Sequence, residues 1–245
     1  MAHSILLSHF DRHDPRLGRH VEHDSRSWNF AIDLDEPKEL TDVFWGDKGP
    51  ILDQGEVGGC VGFTGADILN TDFFAAVRQA HNSGKYYQNK DGLNFYHLAT
   101  VSDNISGTYP PDDTGSSGLG LAKALKKLGL IKSYQHAFSW SQFNAGIAKQ
   151  PLALGTLWTN DMFNPNKDGV ISVGSLDDSN IAGGHEWSVR GVSYTKNLVL
   201  GRNHWNASWD KTTNGQKLPG EFWISIPDVQ KLLKNQGDVT RLVIA

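Results

Sequence analysis

The apolar residues of the chain change period near Gln150, and that change restricts the fold more than any other feature. Before it, Leu69, Phe73, Val77 and Ala80 recur at three- and four-residue steps, until Asn82-Ser83-Gly84 supplies a stop. This spacing predicts one buried amphipathic helix running from Cys60 to that stop. Residues 92–103 and 119–128 read as two more helices, the second closed by Gly129. After Gln150 the helical spacing gives way to short runs rich in Val, Leu, Ile and Trp, at 151–159, 186–194, 198–202, 221–226 and 240–244. A helical lobe followed by a sheet lobe predicts an α+β fold with a cleft between the lobes, where residues from both can meet.

Residues 1–45 carry neither period and contain Pro15 and Pro37, so they read as an extended N-terminal arm. The remainder, 46–245, reads as one domain, with a helical lobe at about 46–150 and a β lobe at about 151–245. His9, His13, His20 and His23 with Asp11, Asp14 and Asp24 crowd the arm, but their spacing matches no ligand pattern, and a solvated arm is the expectation. The arm is expected to brace the sheet lobe, with covering of the cleft as the alternative, and it is too short for a large inhibitory prodomain. A net charge of −4 argues against a nucleic-acid groove. One cysteine forbids an internal disulfide and suits a reducing compartment, and neither a signal peptide nor a membrane-spanning run is found. A cytoplasmic location is expected, or a virion-associated one for a chain of phage origin.

The lone cysteine lies in Gln54-Gly55-Glu56-Val57-Gly58-Gly59-Cys60, behind a glycine-rich loop and at the start of a helix. Free N–H groups and the positive end of the helix dipole favour a thiolate there, and Gly58 and Gly59 let another backbone approach. Gly183-Gly184-His185-Glu186 places a histidine at the head of an expected strand. Asn203-His204-Trp205 ends another. Taken singly, these are a buried thiol, a core histidine and a turn-forming asparagine.

Together they resemble the papain family of cysteine peptidases, in the disulfide-free form met in bacteria and phages, over roughly residues 45–230. The family motif begins Gln-Gly and reaches its cysteine six positions after the Gln, as Gln54 and Cys60 do. Its histidine precedes a hydrophobic strand, like His185, and its asparagine opens an Asn-x-Trp triplet followed by a second tryptophan, as in Asn203, Trp205 and Trp209. Val57 stands where many members have a disulfide cysteine.

The resemblance implies a papain-like fold and a Cys60–His185–Asn203 triad forming a thioester with a protein or peptide substrate. It makes Gln54 an oxyanion donor, has Trp205 shield the His–Asn bond, and places Gly58, Gly59 and Gly184 along the substrate. No metal or cofactor is implied, and the oligomeric state is open. The same chemistry can serve an amidase, deamidase or transamidase, and a low-activity structural or binding module is a further alternative. Glu186, next to His185, should point to the opposite face of its strand. Asn164 to Ser175 resembles a calcium loop without its final carboxylate and reads as a turn. Gly115-Ser116-Ser117-Gly118 falls where the family lines its cleft with glycines.

Overall fold

The computed structural model describes residues 4–8, 14–34, 39–209 and 219–244. Ahead of the helical lobe lie β1 (Ser4–Ser8) and β2 (Val21–Asp24), which pair antiparallel, and the short β3 (Val43–Phe44). The lobe itself is α1 (Cys60–Asn70), α2 (Ala75–Asn82), α3 (Asn89–Ser102) and α4 (Gly118–Lys127). Every residue of α1 is buried, because α3, α4 and the sheet pack around it.

The single helix expected over 60–82 is interrupted. Thr71 is extended, its hydroxyl donates 2.7 Å to Ile68 O, and Arg78 donates to the freed carbonyls of Leu69 and Thr71. The run Asn70-Thr71-Asp72, all residues that compete with helical backbone bonds, marks the break. A left-handed Ser83, φ 52°, ends α2 at the expected stop.

The sheet contains β4 (Ser133–Ala137), β5 (Leu152–Thr159), β6 (Val170–Ile171), β7 (Ile181–Ser193), β8 (Leu198–Arg202), β9 (Glu221–Ser225) and β10 (Asp238–Val243). Its order is β4-β10-β5-β7-β8-β9-β6, with β3 added to β7, and only the β6–β9 pairing is parallel. Two departures from the sequence reading matter. β7 begins at Ile181, so the Gly183-Gly184 pair lies inside a strand and not ahead of one. Helices α5 (Trp140–Ile147) and α6 (Ile226–Lys234) flank the sheet, the second capped by Ser225 where strand was expected to run on. Asn166 closes the calcium-like loop as a turn, its side chain accepting the Asp168 and Val170 N–H groups.

A buried charge network ties the lobes together. Asp67 of α1 pairs with Arg190 of β7 at 3.0 Å and Arg202 of β8 at 3.2 Å, and accepts a bond from Ser188. Asp47 joins both arginines, and Glu221 reaches Arg202 at 3.2 Å. Cutting one partner from such a set leaves charges buried without compensation. Asp67→Ala is therefore expected to lower unfolding free energy by about 3–5 kcal/mol in urea titrations. A loss under about 1 kcal/mol would show the network to be energetically idle.

Candidate active site

Cys60 opens α1 at the inner edge of the helical lobe, and His185 and Asn203 come from β7 and the end of β8. His185 Nε2 donates to Asn203 Oδ1 at 2.9 Å, which fixes the tautomer and leaves Nδ1 as an acceptor with no hydrogen bond. Asn203 Oδ1 also accepts the His204 N–H at 2.8 Å, so the amide is held from two sides. Trp158 and Trp205 enclose the imidazole, with ring centroids 4.8 and 4.9 Å away. Glu186 points to the other face of β7, as the two-residue period requires.

Gln54 faces the same cleft. Its Nε2 donates to Val57 O at 2.7 Å and Arg16 O at 3.0 Å. Its Oε1 meets His204 Nδ1 at 3.4 Å, while His204 Nε2 lies 3.2 Å from the Thr64 hydroxyl. In the sequence His204 stands only as the neighbour of Asn203. It has partners on both ring nitrogens and holds the Gln54 amide in place.

The expectation that the arm only braces the sheet lobe is incorrect for Asp14–His20. Gly18 and Arg19 run between the lobes: Arg19 N donates to Gly184 O at 3.0 Å, His20 N to Ser116 O at 2.8 Å, and Ser116 N to Gly18 O at 2.8 Å. The Gly115-Ser116 segment thus lines the cleft through its backbone. A β-carbon on Gly18 would lie 1.9 Å from Gly58 O, and one on Gly184 would lie 2.2 Å from Arg19 O. The Arg16 guanidinium stacks 4.1 Å over Trp205. Gly59 is pressed against the Tyr96 ring. Beyond His20 the arm touches both lobes, β2 against α4 of the helical lobe and Ser25–Phe30 bracing β4 of the sheet. His9, Asp11 and His13 lie outside the described residues.

The covering changes the electrostatics. Cys60 is fully buried, and burial pushes its thiol up to about 12, although the Glu186, Gly18 and Val61 backbone N–H groups pull it down. Burial also pushes His185 down to about 3, with positive charge at His204 adding to the effect. Under the arm, desolvation outweighs the helix dipole and disfavours the thiolate expected at the helix N-terminus.

Burial holds His204 down at about 4, against the pull of Asp67. Unfolded chains take up this proton near pH 6.5, before folded ones do, so the contribution is complete above pH 6.5 and is lost on acidification. In urea unfolding, the stability advantage of the wild type over His204→Gln should shrink by about 1.4 kcal/mol per pH unit between about pH 6 and 4. A difference independent of pH would contradict a buried neutral imidazole.

Among the described residues, no three His, Cys, Asp or Glu side chains form a metal-ligand group, and no helix is long and apolar enough to cross a membrane. No protein-family model and no curated protein sequence matches the chain. Solved structures do. Xylellain, a cysteine protease from Xylella fastidiosa, superposes with a TM-score of 0.59 at 14% identity, covering 97% of this chain and 100% of its own. ProCathepsin B S9 from Trypanosoma congolense gives 0.53 at 10% identity over 79% of this chain and 71% of its own. Digestive procathepsin L 3 of Tenebrio molitor gives 0.50 at 12% identity over 88% and 74%. The two-lobed α+β architecture of this chain is the papain-like fold.

Proposed function

We propose that the chain is a cysteine-type peptidase that hydrolyses peptide or isopeptide bonds through a thioester acyl-enzyme. Cys60 is the nucleophile, His185 the base and then the acid, and Asn203 the group that holds the imidazole. Gln54 and the Cys60 backbone N–H donate to the oxyanion. Gly58, Gly59 and Gly184 admit the substrate backbone, and Trp205 covers the His185–Asn203 bond.

The observation that carries this reading is the buried 2.9 Å bond from His185 to Asn203, which leaves Nδ1 free to accept a proton. The Glu186 N–H, one peptide bond from His185, acts on the Cys60 sulfur, and this supports a shared site for thiol and imidazole. With the arm withdrawn, the Cys60 proton passes to His185 Nδ1 and sulfur bonds to the carbonyl carbon. The C–N bond then breaks as His185 gives that proton to the amine, and water hydrolyses the thioester to an acid and a free thiol.

Incubation with a protein mixture, followed by mass spectrometry of termini, tests the reaction. New N-termini that disappear with Cys60→Ala are expected. One-dalton shifts or cross-links without new termini would reassign the chain to deamidation or transamidation, and no Cys60-dependent change would overturn the reading.

A further inference from the structure

Three neighbouring strands place Asp238, Gly155 and Glu186 in one row. Asp238 of β10 pairs in register with Gly155 of β5, and Gly155 with Glu186 of β7. Residues in such a row share a sheet face at close spacing, so the missing side chain of Gly155 leaves a slot between two carboxyl groups. A β-carbon there would sit 2.5 Å from Glu186 Oε2 and 2.6 Å from Asp238 Oδ1. Gly118 closes the slot from α4, with its own absent β-carbon 2.9 Å from Glu186 Oε1 and 3.0 Å from Asp238 Oδ2.

The slot is filled from the arm. The Arg19 side chain, 1% exposed, donates to Asp238 and, at 2.6 Å, to Gln236 O. Arg19 is the residue next to Gly18, the one that packs at Gly58 beside the nucleophile. Glu186 is fully buried, and neither of its carboxyl oxygens makes a hydrogen bond.

We infer that the slot between Glu186 and Asp238 is a specificity pocket for an arginine or lysine side chain of the substrate, carried by the residue adjacent to the one Cys60 attacks, on the acyl side. This rests on the peptidase reading. The charges acting on Glu186 are those of Asp238 and Arg19, so the cation in the slot comes from a removable segment and not from the walls. When the arm leaves, two carboxyl groups face an opening lined by glycine. An aliphatic side chain entering it strands them, whereas a guanidinium there bonds Asp238 and the Gln236 carbonyl, as that of Arg19 does, and brings its charge up to Glu186. Burial and Asp238 both raise the Glu186 carboxyl and Arg19 opposes them, so a cation in the slot works toward its charged form.

The test uses the full-length Arg19→Ala chain in a Gly18→Ala background, whose slot is vacated and whose arm is lifted by the carbon added 1.9 Å from Gly58 O, and capped dipeptide coumarylamides. The residue attacked is held constant, and the one before it is Arg, Lys, citrulline or Leu. Arg and Lys are expected to exceed Leu in kcat/KM by about thirtyfold, and Arg to exceed neutral, isosteric citrulline by about tenfold. In Arg19→Ala carrying Glu186→Gln and Asp238→Asn, the Arg-to-Leu ratio should fall to within about threefold. Leu or citrulline matching Arg in Arg19→Ala would overturn the pocket assignment while leaving the peptidase reading intact, and this comparison needs no change to the pocket. Failure to cleave any of the four, with no Cys60-dependent labelling by a peptidyl epoxide, would overturn both.

Discussion

Gly18→Ala is expected to raise the rate of Cys60 alkylation at pH 7.5 by at least about a thousandfold. The added carbon would lie 1.9 Å from the Gly58 carbonyl oxygen. The arm cannot slide to relieve it, because Gly18 O and Arg19 N are held by Ser116 and Gly184 at 2.8 and 3.0 Å. It must lift, and water then reaches the sulfur. Burial holds the covered thiol at about 12. An ordinary thiol near pKa 8.5 is ionised roughly three decades more at neutral pH, and the thiolate is the form that reacts. The pH profiles should separate accordingly. The wild-type rate keeps climbing tenfold per unit beyond pH 9, whereas the Gly18→Ala rate levels off at or below that pH. Iodoacetamide time courses read by intact mass measure both, and equal rates would show that the arm does not guard the sulfur.

In the Gly18→Ala background, Cys60→Ala is expected to lower kcat/KM by at least about 10⁵-fold, and His185→Ala to cost nearly as much. Groups that act as one unit fail together, so the double variant should lose little more than either single one. Asn203→Ala should lose less, about 10²-fold, because the imidazole remains but is no longer held by the 2.9 Å bond. Independent, multiplying losses at Cys60 and His185 would mean that the two side chains do not share a step.

The fold class was legible because it rests on local period: the change near Gln150 and the spacing of Leu69, Phe73 and Val77 each report burial of a nearby face. The meeting of His185 with Asn203 was legible for a different reason, since three motifs in order restrict topology far more than one. The break at Thr71 was missed although Asn70-Thr71-Asp72 announces it, because hydrophobic period was weighed above the side chains that cap and terminate helices. The acid slot could not be read at all. Asp238, Gly155 and Glu186 become neighbours only through the strand order β10-β5-β7, which no local pattern encodes. Asp67, Arg190 and Arg202 were hidden likewise, as charges in segments otherwise read as apolar. The course of Asp14–His20 turns on close backbone approach at Gly18, Gly58 and Gly184, and a lone glycine in a sequence does not say what approaches it.

Under the proposed function the Cys60 thiol and the His185 imidazole form one acid–base unit once the cleft is open. Ultraviolet titration of the thiolate in Gly18→Ala, with and without His185→Ala, tests it most directly. A thiolate that persists to about pH 5 is expected when His185 is present, with an ordinary thiol titration near 8.5 when it is removed. Identical titrations in the two variants would contradict it.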